Sequence, residues 1–140
     1  MAGTVVADTL QADSTSTLVI KNGVANTPPT VQDSAGTQIG TFCRAWVNFN
    51  GTGTVAIRAS FNVSSITDNG VGQYAANLTT AMPDANYCVT GASSTNGTTN
   101  GVILAAGNTG NTTTSVQALV LDNASTNLMD AQAVYVAVFR

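Results

Sequence analysis

The sequence predicts an all-β domain: an antiparallel β-sandwich or jelly-roll-like fold of about seven or eight strands behind an extended N-terminal arm. Three observations carry that expectation. Apolar and polar residues alternate at period two along much of the chain, while the 3.6-residue spacing of a helix is hard to find. Asn-Gly pairs recur at 22–23, 50–51, 69–70, 96–97 and 100–101, and each is a turn signal because both residues tolerate positive φ. Between them lie β-branched and aromatic runs of strand length.

Taken in order, strands are expected near 17–22, 38–49, 55–63, 73–81, 86–92, 101–106, 115–122 and 132–139, with a short helical turn around 123–128. Residues 1–36 differ from the rest. They hold no aromatic residue, the Pro28-Pro29 pair, and the polar stretch from Gln11 to Thr17. Such a segment buries little by itself, so 1–36 reads as an extended arm and 37–140 as a compact β domain. The alternative is that the arm supplies edge strands to the same sandwich.

The stretch from Thr41 to Val63 predicts a hairpin. Cys43, Ala45, Val47 and Phe49 share one face of its first strand. Val55, Ile57, Ala59, Phe61 and Val63 share one face of the second. Matching apolar with apolar sets Phe49 opposite Val55, Val47 opposite Ile57 and Cys43 opposite Phe61, around a glycine-bulged turn at 50–53. Trp46 then faces Arg58 beside Arg44, which marks Arg44, Trp46 and Arg58 as a candidate subunit contact. A carbohydrate-stacking platform and an ordinary cross-strand pair are the competing readings. Thr67 to Gly72 reads as a turn between strands. Its lone carboxylate, Asp68, lacks the spaced acids of a calcium loop.

Composition excludes several functions. Only 4 Lys and Arg and 7 Asp are charged, His and Glu are missing, and the net charge is −3. Four scattered cations do not make a phosphate-binding surface, so no nucleic-acid partner is expected. A Ser or Cys nucleophile has no His to activate it. The Asp residues sit mostly in turn-like contexts, so no catalytic residue is assigned and an enzyme is not expected. Cys43 and Cys88 show no metal-ligand spacing, and no metal or other cofactor is implied. They read as two buried small hydrophobes, a disulfide between them being the lesser alternative. Neither a secretory signal nor a membrane-length apolar run is found, so the chain is expected to be made and used outside the secretory route.

Thr, Asn and Ser contribute 22, 14 and 10 residues, an uncharged polar surface that suits repeated packing of identical subunits. Two amide- and hydroxyl-rich loops within 93–114 bracket the apolar run from Val102 to Ala105. Asn96, Thr98, Asn100, Asn108, Asn111 and Thr112 are their candidate ligand-contact residues, although the same letters also make plain hairpin connections.

The run from Arg44 to Arg58 (RAWVNFNGTGTVAIR), continuing as Ser60-Phe61-Asn62-Val63-Ser64-Ser65-Ile66-Thr67-Asp68-Asn69-Gly70, resembles a module of tailed-phage fibre proteins, those of cyanophages above all. Weaker similarity extends through Thr79 to Tyr87, to the ending from Val134 to Arg140, and to the opening Val6-Ala7-Asp8-Thr9-Leu10-Gln11. The resemblance implies a non-catalytic virion structural protein. Its expected form is a homotrimeric tail fibre or fibre-tip subunit that attaches to the host surface, synthesised in the host cytoplasm. The arm would then serve virion attachment or oligomerisation. The partners would be further copies of itself, other fibre, baseplate or capsid proteins, and a host-surface glycan or protein. Family fibres are often much longer ahead of this module, and a capsid decoration, cement or head-fibre protein is the alternative.

Overall fold

The computed structural model describes residues 28–94, 110–122 and 127–140, together with Ile20, Gly23 and the backbone of 101–104. Among these the chain is all β, without a helix, and no helix is long and apolar enough to cross a membrane. A short hairpin, β1 (Val31–Gln32) and β2 (Gln38–Gly40), forms its own two-stranded sheet. Its turn is closed by Asp33, whose Oδ1 accepts from the amides of Ala35 and Thr37. The hairpin straddles the boundary expected at 36/37 between arm and domain.

Eight further strands make two four-stranded antiparallel sheets. They are β3 (Cys43–Asn50), β4 (Ala56–Phe61), β5 (Val63–Gly70), β6 (Gln73–Leu78), β7 (Cys88–Ser94), β8 (Gly101–Leu104), β9 (Ser115–Asp122) and β10 (Ala133–Phe139). The first sheet runs β4-β3-β10-β7 and the second β5-β6-β9-β8. The core lies between them. Ala45, Val47 and Phe49 with Val134, Val136 and Val138 face inward from the first sheet. Tyr74, Ala76, Leu78, Val116, Ala118 and Val120 face them from the second. These are the period-two positions of the sequence, and the two-layered all-β fold expected from them is the one the chain adopts.

Two expected elements divide. The stretch 38–49 breaks after Gly40 into β2 and β3, and 55–63 breaks at Asn62 into β4 and β5, which belong to different sheets. Asn62 sits at φ 57°, a left-handed conformation that Asn tolerates better than most residues. Its side chain holds this corner. Nδ2 donates to Arg44 O and Thr80 O, both at 3.1 Å, while Oδ1 accepts from the Thr80 amide at 2.7 Å. The predicted 67–72 turn is also shorter than expected. β5 continues to Gly70, and only Val71 and Gly72 make the bend before β6.

The hairpin register differs from the expected one. Phe49 pairs with Ile57 rather than Val55, Val47 with Ser60 rather than Ile57, and Trp46 with Phe61 rather than Arg58. Cys43 pairs not with Phe61 but with Phe139 of β10. The cause is a bulge: Asn48 faces Ala59 and Phe49 faces Ile57, which leaves Arg58 as the extra residue. Alternation slips by one there, so Ala59 and Phe61 turn to the outer face instead of the core.

The cysteines are free. Cys43 and Cys88 both pair with Phe139, one on each side of β10. Two strand spacings, about 10 Å, separate them, which is beyond disulfide reach. Cys43 is half-buried and Cys88 exposed, so the expectation of two buried thiols does not hold.

Candidate interaction face

The outer faces of the two sheets differ in where the aromatic side chains stand. On the outer face of the second, the strand alternation places Ser65, Thr67, Gln73, Asn77, Ser115 and Gln117 together with Ala75, Leu119 and Leu121, and no aromatic residue among those described. Asn77 Nδ2 donates to Ser65 Oγ and Thr67 Oγ1 at 3.0 and 2.9 Å, so the β5–β6 side of this face is a hydrogen-bonded polar surface. The outer face of the first sheet is aromatic and aliphatic. Trp46 and Phe61 stand directly opposite each other, and Ala137 flanks Trp46 on the neighbouring strand. Tyr135, one pair along β10, faces Asn48 and Ala92.

Exposure makes this face unusual. Of the eight aromatic residues, Trp46, Phe61 and Tyr135 are 40%, 53% and 43% exposed, and Phe42 just ahead of β3 is 44% exposed. Only Phe49 and Tyr74 are fully buried among the aromatics. A chain with so few large apolar side chains has placed half of its rings where water reaches them.

The face is also free of acids. No Asp lies on β3, β4, β7 or β10, whereas Arg44 and Arg58 both do. Arg58, the bulge residue, hydrogen-bonds neutral oxygens: Phe49 O at 3.1 Å, Asn48 Oδ1 at 3.4 Å and Gln132 O. Its charge is therefore not cancelled by those partners. Arg140, following β10, pairs with Asp84 and holds that carboxyl below its ordinary range. Among the described residues, no three His, Cys, Asp or Glu side chains gather as a metal site would require.

The sequence-predicted residues fall into three groups. Trp46 lies in the aromatic face with Arg44 and Arg58 on the same sheet, but its cross-strand partner is Phe61, which sequence reasoning assigned to the core. Asn111 and Thr112 are spent on their own loop. Asn111 Oδ1 accepts from the Gln117 amide at 2.9 Å, and Thr112 Oγ1 accepts from the Thr114 amide. Tyr87 Oη lies 2.9 Å from Thr112 O and 3.0 Å from Ser115 O, a donor that anchors the same loop. Asn96, Thr98, Asn100 and Asn108 lie outside the described residues, as do 123–126 of the expected helical turn and all of the expected 17–22 strand except Ile20. The remaining end of that turn is extended, with Leu128 bridging to Leu121. Sequence reasoning missed Tyr135 and Phe61 as face residues. Tyr135 was detectable, because Val134, Val136 and Val138 claim the other side of its strand.

Family models, curated proteins and solved structures were all compared with the chain, and none matches it.

Proposed function

We propose that this protein is a non-catalytic virion structural subunit of the phage tail-fibre kind, which self-associates as a trimer through the aromatic outer face of its first sheet. The exposed rings on the outer face of the first sheet carry the reading. Phe42, Trp46, Phe61 and Tyr135 stand about half exposed, and covering their apolar surface favours association by roughly 25 cal/mol per Å², before the cost of association. Identical subunits meeting around a closed axis would cover it. The absence of His and Glu supports a structural rather than catalytic role, and the long motif resembling phage fibres supports the virion setting. Further fibre, baseplate or capsid proteins are the partners of the arm, and a host glycan or protein is the ligand of the 93–114 loops.

A second reading, a capsid decoration or cement subunit, is favoured by one observation. Asn111 and Thr112 are engaged within their own loop, and a decoration protein has no need of ligand-binding loops. Antibody labelling of intact particles in the electron microscope separates the two. Label at fibre tips or baseplate is the expected result, whereas label spread over the head would replace the fibre assignment by decoration.

A further inference from the structure

Two of the five Asn-Gly pairs, 50–51 and 69–70, lie wholly within the described residues, and the fold treats them oppositely. Asn50 is locked where β3 enters the loop to β4. Its Nδ2 donates to Thr52 O at 2.6 Å and Thr54 O at 3.1 Å, and its Oδ1 accepts from Thr52 Oγ1 at 3.0 Å. Gly51 is buried, and its amide donates to Ala131 O at 2.9 Å. Asn69 is exposed near the end of β5, and its side-chain amide has no hydrogen-bond partner among the described residues. The ladder passes from the Asp68–Tyr74 pair to the Gly70–Gln73 pair and leaves Asn69 as the extra residue. Gly70 stands at φ +125°, and a Cβ there would meet only Gln73 Nε2, at 3.9 Å, so the space beside it is open. The Gly70 amide donates to Asp68 Oδ1 at 3.0 Å, a contact two residues back along the chain.

We propose that Asn69-Gly70 is a site of spontaneous covalent modification, where Asn69 becomes aspartate and isoaspartate through a cyclic imide, while Asn50 is preserved. The Gly70 nitrogen, its proton taken by hydroxide or water, attacks Asn69 Cγ. The N–Cγ bond forms, the Cγ–Nδ2 bond breaks, and Nδ2 gains a proton from water and leaves as ammonia. Water then opens the ring. Opening at Cγ restores the main chain with an aspartate, and opening at the main-chain carbonyl carbon routes the chain through Cβ and Cγ as isoaspartate. The sum is asparagine plus water to aspartate or isoaspartate plus ammonia, with no change in oxidation state. The product adds one negative charge, beside Asp68, to a chain whose net charge is −3. Ring closure needs the nitrogen and Cγ brought together, which an unpartnered Asn side chain followed by a residue without Cβ allows. At position 50 the same closure would first break three side-chain hydrogen bonds and the Gly51 main-chain bond. Asn69 belongs to the second sheet, so this chemistry is independent of assembly through the aromatic face.

Peptide mapping by mass spectrometry of the full chain, aged in mildly alkaline buffer, tests this. Conversion adds about 1 Da to the peptide that carries it, as a side-chain amide becomes an acid. In the folded chain position 69 is expected to convert at least about tenfold faster than position 50, and in the guanidinium-unfolded chain the two rates are expected to agree within about twofold. Fragmentation that separates the isomers is expected to find isoaspartate beside aspartate at 69. An Asn69 that converts only after unfolding would overturn the proposal, as would equal rates at 50 and 69 in the folded chain. A difference that persists in guanidinium would overturn it too, because neighbouring residues and not the fold would then set the rates. Aspartate alone at 69 would exclude the cyclic imide and with it the proposal.

Discussion

The rings of Phe49 and Tyr74, one from each sheet, meet edge to face across the core with centroids 5.2 Å apart and planes at 73°. The Tyr74 hydroxyl reaches beyond that contact to the rim of the sandwich, where it lies 2.8 Å from both Gly51 O and Asp130 Oδ1. Asp130 Oδ1 also accepts from the Gly72 amide at 2.8 Å. Tyr74 and Asp130 together thus join the β3–β4 loop, the β5–β6 bend and the segment before β10. The rigid sandwich that displays the aromatic face depends on that rim.

Removing the hydroxyl tests it. Tyr74→Phe keeps the edge-to-face ring contact but leaves Gly51 O without this donor, and is expected to cost about 1–2 kcal/mol in urea unfolding. The variant also has a pH signature. Burial, the largest cause, and the adjoining Asp130 hold the Tyr74 phenol well above its ordinary value of 10.0. In the unfolded chain it loses its proton near pH 10, while in the fold it keeps it. The unfolded state then binds fewer protons, so this contribution is intact below pH 10 and stability falls as pH rises further. Urea midpoints measured between pH 8 and 11 are expected to decline at the alkaline end, and less steeply in Tyr74→Phe. Some decline persists in the variant, because burial raises Tyr87 too.

The corner at Asn62 separates hydrogen bonding from backbone strain. Asn62→Gly loses the side-chain bonds to Arg44 O, Thr80 O and the Thr80 amide but accepts φ 57° freely. Asn62→Ala loses the same bonds and must also hold a left-handed conformation. The Gly variant is expected to lose about 2 kcal/mol and the Ala variant about 1 kcal/mol more. Equal losses would show that the backbone at this corner is unstrained.

Two glycines at similar φ are expected to respond very differently. A Cβ at Gly72 (φ +65°) would lie 2.5 Å from Val120 O and 2.7 Å from Met129 N, both backbone atoms. At Gly53 (φ +62°) it would meet nothing within 4 Å. Gly53→Ala is expected to cost about 1 kcal/mol, for backbone conformation alone. Gly72→Ala should cost above about 3 kcal/mol, because β6, β9 and the 129–130 segment would have to part. Thermal melts of the two variants side by side measure the difference.

Alternation revealed the layers of this fold but not the single residues that redirect them. Ala45, Val47 and Phe49 and the valines of β10 lie where period two places them, because the β3–β10 ladder keeps its register from the Ala45–Val138 pair to the Phe49–Val134 pair. The run Val55, Ile57, Ala59, Phe61, Val63 looks just as regular. Its alternation in sequence conceals two breaks in space, the bulge at Arg58 and the corner at Asn62. An extra residue in a bulge leaves no mark on the spacing of apolar letters, and Phe61 was therefore assigned inside rather than beside Trp46. The end of β5 carries the letters of a turn, Asp68-Asn69-Gly70, yet Asp68 Oδ1 accepts from the Gly70 amide at a ladder irregularity within the strand. Trp46 was legible as a surface aromatic, but the face around it depends on strand pairs distant in sequence.

The most direct measurement of the central claim is solution mass by multi-angle light scattering, on the full chain and on Trp46→Ser/Phe61→Ser. Both side chains lie on the outer face, so the double variant is expected to keep the β signal of the parent. Trimeric assembly through this face predicts three chains of 14.1 kDa per particle for the parent and one for the variant. A monomeric parent at micromolar concentration, or a variant that stays trimeric, would contradict it.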